Sequence, residues 1–89
     1  MNPIHENRTE PRRMADGAVR VWFTEPKPRE IQGRLVDIST RGFRMSHQCA
    51  DLEAGQVVEF SHVEAAGQAR VIWNRILATR VETGFLVVA

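Results

Sequence analysis

Eighty-nine residues supply one hydrophobic core and leave too little for a second, so a single small domain is expected. The balance of 43% apolar and 26% charged residues excludes a disordered chain, and no apolar run approaches the roughly 18 to 20 residues that span a bilayer. A net charge of +1 argues against binding of a nucleic-acid polymer, which calls for a strong basic excess.

The first thirteen residues hold Pro3, Pro11, several charges and one large aliphatic residue, Ile4. That composition cannot offset the entropy of its own ordering by burial, so the segment reads as a flexible arm. Its start, Met1-Asn2-Pro3-Ile4-His5-Glu6, lacks the apolar stretch of a signal peptide, and Cys49 is the single cysteine. Both features point to a cytoplasmic address, and membrane insertion is not expected.

From Ala18 onward the chain breaks into short segments rich in Val, Ile, Phe and Trp, divided by Gly, Pro and polar clusters, which is an all-β pattern. Strands are predicted near 18–23, 30–38, 42–46, 56–62, 68–74, 76–81 and 84–88. Thr24-Glu25-Pro26-Lys27-Pro28 ends the first, because proline donates no ladder hydrogen bond. Residues 48–55, ending in Gly55, have the composition of one helical turn, and no long helix has room elsewhere. Closely spaced short strands suggest a small barrel or sandwich.

Chemistry concentrates at two places. If Val36 and Ile38 point inward, Asp37 and Ser39 share the outer face of their strand. A carboxylate there can accept guanine N1–H and N2–H together, with a hydroxyl beside it. Gly42 permits either a positive φ at the turn or close approach of a ligand to the backbone. On the arm, Arg8 and Arg12 can each grip a phosphate or a base edge through paired N–H donors. A guanine nucleotide suits this set.

Other chemistries are poorly served. His47 and Cys49 fall short of the four ligands of a tetrahedral metal site, so no metal is expected. There is no nucleophile elbow, no His-Glu-x-x-His pair and no Gly-rich phosphate loop, so the chain is not expected to be an enzyme.

Arg8-x-x-x-Arg12 followed by Asp37-Ile38-Ser39-Thr40-Arg41-Gly42 resembles the paired signature of the PilZ domain family, and Ala69–Trp73 and Thr83–Leu86 are similar to that family's late strands. The resemblance implies a six-stranded antiparallel β-barrel covering residues 7–89, with an arginine-motif arm at 7–13, the barrel at 14–89, and residues 1–6 as a tail. It implies that the chain is a receptor for the bacterial second messenger cyclic di-GMP, bound by Arg8, Arg12, Asp37, Ser39 and Gly42. Arg13, Arg41, Arg44 and Trp73 are candidates for further contacts. No cofactor other than that ligand is expected, and the signal would pass to a downstream protein from a monomer or weak homodimer. The chain departs from the family in ending Leu86-Val87-Val88, where relatives often place an aromatic, and no long C-terminal helix is expected.

Overall fold

The computed structural model describes residues 12–89, and these form strands without any helix. The strands are β1 (Arg13–Met14), β2 (Ala18–Phe23), β3 (Arg29–Ile38), β4 (Gly42–His47), β5 (Val57–His62), β6 (Ala65–Ile76) and β7 (Val81–Val87). All pairings are antiparallel. β3 pairs with both β2 and β4, and the circuit closes through β7, β6 and β5 back to β2. The result is a closed six-stranded antiparallel barrel, the architecture that the resemblance implies, with β1 outside the ring. Closure pairs each barrel strand on both sides, which removes the open sheet edge that could recruit another chain.

β1 continues the path of β2 along one side of β3. Arg13 faces Ile38 and Met14 faces Asp37, while Ala18 faces Arg34. Ala15 N–H donates to Val36 O at 3.1 Å and Leu35 N–H to Gly17 O at 2.8 Å, which ties the two stretches together. The described end of the arm is therefore laid beside the strand that carries Asp37.

Alternation along each strand sends one face into the core. Phe43 sits at its centre, 4.8 Å from the Phe60 ring centroid and 4.7 Å from that of Phe85, the latter stacked. Each such ring buries an area of order 150 to 250 Å². Val19, Val21, Val58 and Val71 complete the packing, all at most 2% exposed.

Two β-bulges break the alternation. Leu35 faces Met45 and Asp37 faces Arg44, so Val36 is the extra residue on β3; Val71 faces Phe85 and Trp73 faces Gly84, so Ile72 is the extra residue on β6. Leu35 and Ile38 are thus both buried although they are three apart, and the expectation that Val36 points inward is corrected. A bulge adds a residue to one strand and reverses the phase of every side chain beyond it.

Two other expectations change. The predicted strands 68–74 and 76–81 are one long β6 followed by a turn, closed by Leu77 N–H to Arg80 O at 2.8 Å, before β7 begins at Val81. Residues 48–56 make turns rather than a helical turn, because Leu52 is drawn into the core and the segment bonds across to β6 at Gly55 N–H to Val71 O.

A chain of hydrogen bonds fastens this loop. Cys49 N–H donates to His47 Nδ1 at 3.1 Å, so the neutral ring carries its proton on Nε2, which donates to Thr83 Oγ1 at 2.6 Å. The Thr83 hydroxyl donates to Asn74 Oδ1 at 2.6 Å, and Asn74 Nδ2 donates to Leu52 O at 2.7 Å. Burial pushes the His47 pKa down.

Candidate functional site

One register row crosses the outer face of the barrel. Trp73 faces Gly84, Gly84 faces Arg44, Arg44 faces Asp37, and Asp37 faces Met14. Residues from four barrel strands and β1 are brought side by side by pairing alone. Above this row lies an open cleft of about 380 Å³, lined by Arg12, Ser39, Arg41, Gly42, Arg44 and Trp73, together with Ile72, Phe43, Gly84, Phe85 and Leu86.

Asp37 lies behind these residues. Arg12 donates to its Oδ1 from Nε at 3.2 Å and from Nη2 at 3.0 Å. Arg44 donates from Nε to Oδ1 at 3.0 Å and to Oδ2 at 2.9 Å, and its Nη2 also bonds Oδ2. The Asp37 side chain is only 3% exposed, against 41% for Arg12 and 30% for Arg44. The sequence pattern predicts an open carboxylate platform; the structure shows a carboxylate capped by two arginines. Burial pushes the Asp37 pKa up, but the hydrogen bonds from Arg44 and Arg12 outweigh it and hold the group below the usual carboxylate range. The same bond to Asp37 raises the Arg44 pKa.

Ser39 begins the corner between β3 and β4. Its N–H donates to Gly42 O at 2.9 Å, and its hydroxyl reaches the same carbonyl at 3.4 Å. Of the two purposes expected of Gly42, the positive φ is not the one it serves, and it lines the cleft at a point where β7 passes close behind. A Cβ there would collide with the backbone carbonyl of Phe85 on β7. The glycine lets two strands approach where the cleft floor forms.

Trp73 faces outward because of the bulge at Ile72. Its indole lies over Gly84, where an added Cβ would stand 2.5 Å from ring atoms, and the Arg75 guanidinium sits 5.6 Å from the ring centroid. Gly84 is the residue that sequence reasoning passed over. A glycine inside a strand pattern is the available signal for close approach, and here the approaching group is an aromatic wall of the cleft.

The structure gathers Arg12, Asp37, Ser39, Gly42, Arg41, Arg44 and Trp73 in and behind one cleft. It does not bring Arg13 there. Arg13 turns the other way and pairs with Glu64 at the β5–β6 turn, at 3.0 and 2.5 Å. Successive residues of an extended segment face opposite sides, which separates Arg12 from Arg13. Arg8 lies outside the described residues. Among the described residues no group of three or more His, Cys, Asp or Glu side chains could hold a metal ion.

The arrangement can do specific things. Three arginines line the cleft, two of them bonded to one carboxylate, and an indole and two aliphatic side chains adjoin them. Such a site suits an anion that also carries flat apolar rings. In comparisons with family models and with curated proteins, the chain matches none.

Proposed function

We propose that this barrel is a binding module for an anionic guanine nucleotide, and that the nucleotide is cyclic di-GMP. The observation that carries the reading is the meeting of the two sequence motifs: Arg12 of the arm touches Asp37, and both adjoin the cleft that Ser39 and Gly42 help to line. Arg12, Arg41 and Arg44 can engage phosphates as charged donors, and Asp37 is, among the described residues, the carboxylate beside the cleft that can accept a guanine N1–H and N2–H edge. Trp73 and its flanking aliphatic residues offer apolar surface to a purine. A ligand with two phosphates and two guanines uses every one of these features.

Arg8 then serves as the second clamp of the arm, and closure of the arm over the ligand creates the surface that a downstream protein reads. Binding rather than catalysis is the activity, and a bacterial cytoplasm is the setting where this ligand is met. Calorimetric titration with cyclic di-GMP tests the reading. Saturable heat in the micromolar range is expected for the wild type, with affinity at least about tenfold weaker in Arg12→Ala and Asp37→Ala. Absence of heat at high micromolar ligand, or unchanged affinity in both variants, rejects it.

A second reading is an adaptor of the same fold that docks a protein without nucleotide. It is favoured by the exposed side chains of Ile72 and Leu86, which line the same cleft. The same titration separates the two.

A further inference from the structure

The two arginines on Asp37 are not equivalent. Arg44 lies in the middle of β4, paired on one side with β3 and on the other with β7, so its backbone is fixed by the closed barrel. Arg12 precedes a two-residue strand held by a single neighbour, and its side chain is the more exposed of the two. Their contacts also differ: Arg44 bonds both oxygens and is, among the described residues, the sole partner of Oδ2, whereas both contacts from Arg12 fall on Oδ1.

An ionised carboxylate offers about four lone-pair sites, so a buried one that loses a donor needs a replacement. Loss of Arg44 would uncover Oδ2 beside a fixed strand. Loss of Arg12 vacates donor positions on Oδ1 only, where Arg44 Nε still donates. The geometry points to a division of labour: Arg44 is a positioning residue that holds and aims Asp37, and Arg12 is an internal surrogate whose place on Oδ1 is taken by the guanine edge of the ligand. Arg12, once displaced, is free to engage the ligand itself. This inference rests on the reading of the cleft as a guanine nucleotide site and adds how Asp37 stays paired before the ligand arrives.

Exchange of this kind keeps the count of hydrogen bonds to Asp37 nearly constant. The carboxylate is never left buried and unpaired, which would cost far more than the swap. It also makes recognition selective, because a ligand must offer N–H donors to replace those of Arg12. Adenine presents a ring nitrogen acceptor where guanine presents N1–H, and hypoxanthine lacks the 2-amino donor. Among the described residues the charges facing Asp37 are Arg12 from the segment before β1 and Arg44 on β4, with Glu82 on β7 acting on Arg44.

Two measurements on the full chain test this. The first is titration with cyclic di-GMP and its inosine counterpart for the wild type, Arg44→Gln, Arg44→Lys and Arg12→Gln. The second is the carboxyl titration of Asp37 by carbon NMR in the same four proteins, which needs no ligand. The wild type is expected to prefer the guanine ligand by about tenfold. Arg44→Gln should lose that preference and Arg44→Lys regain part of it, whereas Arg12→Gln should bind more weakly with the preference kept. Asp37 should titrate at higher pH in Arg44→Gln than in Arg12→Gln. A preference retained in Arg44→Gln, or a larger Asp37 shift in Arg12→Gln, overturns the inference and leaves the nucleotide site standing. If the wild type binds neither ligand, the nucleotide reading falls and the exchange with it, while the carboxyl titration still decides whether Arg44 is the main holder of Asp37.

Discussion

Arg12 Nη2 lies 3.0 Å from Asp37 Oδ1, joining residues 25 positions apart in the chain. This contact ties the described end of the arm to the barrel and sets a carboxylate against the arginines of the cleft. Arg13, the next residue, makes its own pair on the opposite side with Glu64. Two adjacent arginines are thus assigned to different tasks by strand geometry.

The contrast gives a direct prediction. Arg12→Ala should weaken cyclic di-GMP binding by about ten- to a hundredfold, in keeping with the roughly 1 to 3 kcal/mol of a good bidentate contact. Arg13→Ala should leave affinity within about twofold, since its exposed ion pair with Glu64 is of a type that contributes little. Calorimetry on the two variants checks this, and equal losses would refute the assignment.

Gly84→Ala should remodel the cleft from below. The new methyl would stand 2.5 Å from the Trp73 ring, so the indole must swing away. Overpacking of this kind costs about 1 to 3 kcal/mol. In a Trp22→Phe background, where Trp73 is the only tryptophan, a change in emission and a lower urea midpoint are expected together. An unchanged spectrum would show that Trp73 is not seated on Gly84.

Acid should weaken the fold through His47. Its folded pKa is depressed by burial, so the unfolded chain binds more protons below its ordinary value of about 6.5. The contribution is fully present above about pH 6.5 and is lost as pH falls toward the folded pKa. His62, also depressed chiefly by burial, acts in the same direction. Protonation of His47 would place a hydrogen on Nδ1, where Cys49 N–H already donates. Urea unfolding at pH 7.5 and 5.5 should show lower stability at the lower pH, with a smaller difference in His47→Gln.

Asp37→Asn should cost about 1.5 to 3 kcal/mol at neutral pH, the range for hydrogen bonds to charged groups, because Arg44 and Arg12 both lose their counter-ion. The folded Asp37 pKa is lowered, so its contribution is present above the unfolded value and disappears as pH falls through the folded one. Wild type and variant should therefore converge in stability in strong acid. Denaturant titrations across pH measure this, and a constant gap would contradict the pairing.

Residues such as Val19, Val21, Phe43, Val58 and Phe60 alternate with polar neighbours, and that period of two makes the all-β class and five of the strands legible in the order of residues alone. The two candidate motifs are legible too, as residue types at a spacing. The single β6 is not, because Ile72 interrupts its alternation and only pairing with β7 reveals the bulge.

What the sequence determined by itself was local: strand periodicity, the proline break after β2, and two groups of residues whose donors and acceptors suit a guanine nucleotide. What only the tertiary structure decided was long-range. Closure of β3 against β4 placed Arg44 opposite Asp37, the two bulges reversed side-chain phase at Val36 and Ile72, and the approach of β7 gave Gly42 and Gly84 their purpose. Register between strands distant in sequence depends on the whole barrel closing at once, and no window along the chain contains that information.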